Sequence, residues 1–363
     1  MTALWPAAGR NSSRQRRATR RTGMPLTNRG IDVYSREKRL SCCRRVSLLA
    51  AGLELTMDWR VKGVIQKGLS FMPGGVRLNT RLQHVLGGMR DCDGNVAAKV
   101  RDWTTSMRYL SQVDFRVSGA RLMEIGSGWH PALPLCFVLA GAGSIATFDI
   151  VRLLDATTTF RLLDSLENHM TEIAEAAGKT SAAVRARFQE LRRSRNLGEL
   201  LSQNRIEYFA PADARATELE SGSIDLVYSN SVLEHVPLDV IRGLMEESFR
   251  VLRPGGLALH NVGCNDHYAF FDKSISFVNY LQYDEREWRL WNNSLQYQNR
   301  LRAPEFEDLA AGAGFEVIYK RMSVRPGVLE ALASLRIAPQ FARFSKDELA
   351  ATTIDFISRK PAR

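Results

Sequence analysis

An α/β fold built on an open, mostly parallel sheet is predicted from three features of the chain. Leu122 to Ile125 is a short apolar run that enters the turn Gly126-Ser127-Gly128, with one carboxylate, Glu124, just before it. Further strand-like runs follow at 144–150, 206–209 and 223–229, separated by stretches with helical character. Arg253-Pro254-Gly255-Gly256 then closes a helix and opens another strand, because proline and glycine stop helices and supply turn angles. In such sheets ligands lie where a strand leads through a turn into a helix.

The first turn narrows the ligand. Gly126 and Gly128 can take backbone angles that a side chain forbids, so a ligand can lie against the main chain. A dinucleotide fingerprint needs a third glycine, but Pro131 stands there, and Glu124 would repel a diphosphate. A cofactor with no phosphate and a cationic end suits the acid better, and S-adenosylmethionine (SAM) has those properties. Asp149 ends the next strand, 23 positions after Gly126, where an acid can accept hydrogen bonds from both ribose hydroxyls. Asp213, with Ala214 at the exit of the third strand, can accept one from an adenine amine.

From about Ser118 to about Pro361 the chain resembles the class I SAM-dependent methyltransferases, nearest to the type 11 small-molecule group. Glu124-Ile-Gly126-Ser127-Gly128 matches the motif that holds the methionine end, Asp149 the ribose acid, and Asp213-Ala214 the adenine-edge motif. Ser229-Asn230-Ser231 with Leu233-Glu234-His235-Val236 matches the segment after the fourth strand, and Arg250 to Gly256 the motif leading into the fifth. The resemblance implies a Rossmann-like, seven-stranded, mostly parallel sheet with helices on both faces. It also implies an antiparallel tail from the strands at 315–320 and 352–359, preceded by a helix at 305–314. Glu124, Gly126, Ser127, Gly128, Asp149, Asp213, Ala214, Asn230 and Ser231 are then the expected cofactor residues. Two glycines in place of three, and Trp129-His130-Pro131, depart from the pattern of many members.

Composition fits a globular chain of 363 residues, 45% apolar and 25% charged, with roughly two domains as the length prior. No apolar run approaches the ~18 residues that a membrane span needs. Of the net charge of +11, residues 1–57 carry +9, leaving the remainder near neutral. Residues 1–56 are expected to be a basic, disordered extension. A transit peptide, a nucleic-acid-binding arm, or a stretch translated ahead of a start at Met24 or Met57 would each have this composition, and the last is preferred. Residues 57–117 are expected to form a helical cap, broken at Phe71 to Gly75 and resuming at Val96 to Leu110. Residues 118–363 are expected to form the methyltransferase domain, with a helical insertion at 152–204 holding an extra helix or two. The five cysteines show no ligand spacing, so a reduced, cytoplasmic protein without a metal is expected.

The acceptor site is placed after the fifth strand, at 263–302, where aromatics and Asn, Asp, His and Arg side chains concentrate. Tyr268, Asn299 and Arg300 are the expected acceptor contacts. A small molecule methylated on oxygen, such as a sugar or other secondary metabolite, fits this mixture of stacking and hydrogen-bonding groups. Histidine is the natural base for a hydroxyl acceptor, with His267 ranked first and His235 second. Two rivals remain at this point. One is an NAD(P)-dependent oxidoreductase on a similar sheet, disfavoured by Pro131 and Glu124. The other is a nucleic-acid-binding protein that uses the basic arm, disfavoured by the near-neutral remainder.

Overall fold

The computed structural model describes residues 58–70 and 92–362 and the backbone of Asp32–Val33. The expected extension, apart from those two residues, and the Phe71 to Gly75 break lie outside the described residues. A sheet of eight strands forms the centre: β1 (Asp32–Val33), β2 (Arg121–Ile125), β3 (Ser144–Phe148), β4 (Ile206–Phe209), β5 (Ile224–Asn230), β6 (Leu252–Gly263), β7 (Glu316–Val324) and β8 (Thr353–Arg359). Their order is β1-β7-β8-β6-β5-β2-β3-β4. Strands β2 to β8 are the seven expected, and the two-residue β1 is an unpredicted eighth, pairing parallel with β7. Only β8 runs against its neighbours, antiparallel to both β6 and β7.

The central strands are apolar on both faces, as parallel strands covered by helices must be. Side chains alternate across the sheet, which divides the core in two. Leu122, Ile145, Leu226 and Leu259 pack toward helices α2 (Cys92–Gln112) and α3 (Ala132–Leu139) and the helices after β3. Met123, Ala146, Val227 and Ala258 pack toward α8 (Leu238–Val251) and α11 (Ala303–Gly312). Val100 and Trp103 of α2 are fully buried in the first core, so this helix is part of the sheet's own packing. Between β3 and β4 lie four helices, α4 (Ala156–Leu166), α5 (Met170–Ala176), α6 (Ser181–Arg192) and α7 (Leu197–Gln203). That is more than the extra helix or two expected, because separate caps divide the segment. The side chains of Asp155, Thr180 and Asn196 accept the backbone N–H groups of Thr158, Ala183 and Glu199, each satisfying a donor that a helix start leaves free.

A third core gathers the remaining elements. Trp59, at the start of α1 (Trp59–Ser70), packs on Tyr268 and Trp291 with ring centroids 5.1 and 4.9 Å away. Tyr268 begins α9 (Tyr268–Phe271), and Trp291 ends α10 (Glu285–Trp291). Arg302 locks this region to the C-terminal part. It is fully buried, and its guanidinium donates to the carbonyls of Cys264, Glu348, Leu349 and Ala351 and to the Tyr280 hydroxyl. Arg302→Met should therefore leave several buried acceptors unpaired and cost at least about 3 kcal/mol. Urea unfolding checks this, and an unchanged midpoint would show that those carbonyls find other donors.

Candidate active site

The strand order reverses between β2 and β5, with β3 and β4 beyond one and β6 beyond the other. The crevice outside the carboxyl ends of β2 and β5 is where such a sheet binds ligands. The glycine turn lies there. Gly126 and Gly128 have φ of +86° and +64°, in the left-handed region that disfavours a side chain. The turn's amides are fastened to the end of β3: Gly126 and Ser127 donate to the Phe148 carbonyl at 2.8 and 3.3 Å, and Gly128 donates to Asp149 Oδ2 at 2.9 Å. Asp149 Oδ1 accepts from Val151 at 3.0 Å. Burial raises the Asp149 carboxyl pKa against these backbone donors. Each carboxylate oxygen keeps further acceptor capacity, so ribose hydroxyls can be added.

Glu124 is buried on β2, opposite Tyr228 of β5 in register, and accepts from the Thr147 hydroxyl. Burial pushes its carboxyl up to about 7, opposed first by that bond and then by Lys99. Lys99, on α2, was not anticipated. Its ammonium donates to Asn230 Oδ1 at 2.5 Å, beside Asp102 at 4.0 Å. Asn230 ends β5, and its Nδ2 is buried without a partner among the described residues. Ser231 follows with φ of +56° and donates its N–H to the Asn261 carbonyl at 3.0 Å. The helix expected as a cap thus brings a cation to the strand ends. No motif could reveal Lys99, because only the packing of α2 on the sheet points it there.

The expected catalytic histidines meet. His235 follows β5 and His267 follows β6, two adjacent parallel strands, and their ring centroids are 4.9 Å apart. The buried Glu234 joins them, and one ligand-type atom from each of the three residues lies within 4.8 Å of the others. His235 Nδ1 is 3.0 Å from the Tyr297 carbonyl. A carbonyl only accepts, so Nδ1 is the donor, and in the neutral ring Nε2 holds the lone pair. His267 differs: burial pushes its imidazole down to about 3, with His235 and Lys62 of α1 adding to the effect. Such an imidazole is harder to protonate than an ordinary histidine, which weakens it as a base. His130, in the glycine turn, is also held below its usual value by burial and then by Lys99.

The other expected residues are placed differently. Arg300 is buried, donates to the carbonyls of Tyr280 and Tyr283 and to Glu285, and lies over the Trp288 and Phe341 rings. Three of its N–H groups thus serve the fold. The Tyr268 hydroxyl is likewise engaged, with the Trp291 carbonyl at 2.8 Å. Asn299 Nδ2 donates to the carbonyls of Leu233 and Val236 at 2.6 and 2.8 Å, so it braces the turn that carries Glu234 and His235. Asp213 is gripped by the Arg215 guanidinium. Burial raises its carboxyl, but Arg215 outweighs that and holds it below the usual range. Ala214 is buried beside it.

The two glycines should respond differently to alanine. A Cβ on Gly126 would meet Val232 Cγ2 at 2.4 Å, whereas one on Gly128 meets nothing within 4 Å. Gly126→Ala should thus destabilise the protein by at least about 2 kcal/mol, from strain and overpacking together. Gly128→Ala should cost only the ~1 kcal/mol of backbone strain. Denaturant unfolding of the pair checks the contrast, and equal losses would contradict the geometry.

Comparison with known proteins gives the family. Residues 96–320 match a family described as a methyltransferase domain. No curated protein matches. Among solved structures, a SAM-dependent methyltransferase from Mesorhizobium loti is 16% identical over 69% of this chain and 96% of its own, with a TM-score of 0.37. Another, from Methanosarcina mazei, is 15% identical over 70% and 98%, with a TM-score of 0.38. Phosphoethanolamine N-methyltransferase 2 of Haemonchus contortus, in complex with S-adenosyl-L-methionine, is 18% identical over 71% and 53%, with a TM-score of 0.38. Likenesses this weak do not bear on the acceptor. The family match and the crevice of β2, β3 and β5 agree: the chain belongs to the methyltransferase-domain family and is a SAM-dependent methyltransferase.

Proposed function

We propose that this enzyme transfers the SAM methyl group to an oxygen of a small hydroxylated acceptor bound beside His235 and His267. The observation that carries the reading is the contact between His235 Nδ1 and the Tyr297 carbonyl. Its Nδ1–H is committed to the Tyr297 carbonyl, so the basic nitrogen, Nε2, is free to take a proton. The reaction is an in-line displacement, and alignment of oxygen, methyl and sulfur supplies much of the rate. As the acceptor oxygen bonds to the methyl carbon, its proton passes to His235 and the carbon–sulfur pair stays on sulfur. Asp149 and the Gly126–Gly128 turn hold the adenosine and methionine ends, and Lys99 with Asn230 lies where the methionine carboxylate would rest. Asp213, already bound by Arg215, borders the adenine edge together with Ala214.

Two measurements test this. SAM carries cationic groups, so its binding favours an ionised Glu124. Glu124 is largely neutral below about 7, and affinity should therefore rise with pH up to that point, by about tenfold per unit at most. Glu124→Gln should flatten the slope in calorimetry, and a slope that survives in the variant would remove Glu124 from the site. For the acceptor, release of S-adenosylhomocysteine is followed over a panel of hydroxylated small molecules. With an accepted substrate, His235→Ala should cut turnover by roughly 10²–10⁴-fold while SAM still binds. Methylation of nucleic acid or protein, but of no member of the panel, would contradict the reading.

A further inference from the structure

We propose that Glu234, His235 and His267 form a binding site for one divalent transition-metal ion of the zinc, iron(II) or cobalt(II) class. The three candidate ligand atoms lie within 4.8 Å of one another. Ligands at ~2.1 Å around a tetrahedral ion sit roughly 3.4 Å apart, so small side-chain rotations close the set. The carboxylate supplies an independent indication. Glu234 is only 3% exposed; its Oε1 accepts from Gly263 at 3.1 Å, while Oε2 is buried with no hydrogen-bond partner among the described residues. A buried carboxylate oxygen left unpaired is costly and calls for a cation or a donor. Gly263 makes the tuck possible, since a Cβ there would stand 2.8 Å from Oε1.

The His235 ring is held in an orientation that a metal can use. The Tyr297 carbonyl on Nδ1 fixes the His235 ring and turns Nε2 outward, as the outer partners of metal-bound histidines do. Two nitrogens and one carboxylate oxygen with positions left open suit zinc or iron(II), whereas magnesium and calcium prefer oxygen alone. Sequence spacing could not show this site, because β5 and β6 bring its parts together from positions more than thirty residues apart.

This inference rests on the proposed methyl transfer and its acceptor but changes the role of His235: with its Nε2 on an ion, His235 is a ligand and no longer the base. An ion here would hold the acceptor hydroxyl and lower its pKa. The proton would then leave to solvent instead of to His235 before the oxygen bonds to the methyl carbon. The test titrates cobalt(II) into chelator-treated, full-length protein and reads the visible absorption of the bound ion. The expected result is one equivalent bound by the wild type, with affinity lower by at least about 100-fold in His267→Ala and in His235→Ala. His235 is exposed at the rim, so its variant carries the test if the His267 variant does not fold. No cobalt spectrum in the wild type, or binding unchanged in the His235 variant, would overturn the proposal. SAM binding and methyl transfer are measured on the same chelator-treated sample. Transfer without any cobalt binding would sink the metal site and leave the methyltransferase reading standing, whereas absent SAM binding would sink the reading itself.

Discussion

The clamp between the first glycine turn and the end of β3 is the constraint on which the crevice depends. Three consecutive amides, Gly126, Ser127 and Gly128, point at one carbonyl and one carboxylate of the neighbouring strand end. That geometry demands positive φ at both glycines, and it draws Gly126 against Val232 of the turn after β5. The ends of β2, β3 and β5, which carry Glu124, Asp149 and Asn230, are thereby held in one arrangement. A shift of any one strand would break bonds to both neighbours.

Two buried carboxylates near this clamp are handled in different ways. Glu124 keeps a hydroxyl partner and the influence of Lys99, and its carboxyl lies near the midpoint between neutral and ionised at pH 7. Glu234 has one backbone donor and one oxygen without a hydrogen-bond partner among the described residues. The first suits a site that alternates between a cationic cofactor and its neutral product. The second is left with an acceptor that a cation or a hydrogen-bond donor would satisfy.

Much of the fold was legible because strand, turn and helix signals are local. The seven main strands and the helix at 303–312 follow from apolar runs and from glycine and proline chemistry, although Pro254-Gly255-Gly256, expected as a turn before the fifth strand, lies inside β6 as an irregularity of its pairing. Glu124, Gly126, Gly128 and Asp149 were legible for the same reason, since each belongs to a strand end and its turn. The acceptor side was less legible. Arg300, Tyr268 and Asn299 have the right chemistry for a ligand, but Arg300 and Tyr268 donate to backbone carbonyls of the irregular 263–302 segment, and Asn299 to those of the turn after β5. A loop with few backbone partners of its own needs such side chains, and composition cannot separate that need from recognition. Lys99 and Glu234 gain their meaning only from tertiary contacts, and β1 lies in a stretch that showed no strand pattern.

The central claim is that the crevice at β2, β3 and β5 holds SAM with its methyl group directed at the Glu234–His235–His267 cluster. A crystal structure with S-adenosylhomocysteine and a sulfonium-side probe such as sinefungin tests it most directly. The account predicts both ribose hydroxyls on Asp149 and the methionine end along the Gly126–Gly128 turn, with the transferable position facing His235. A ligand whose sulfur or amine faces away from the cluster, or one bound outside this crevice, would contradict it.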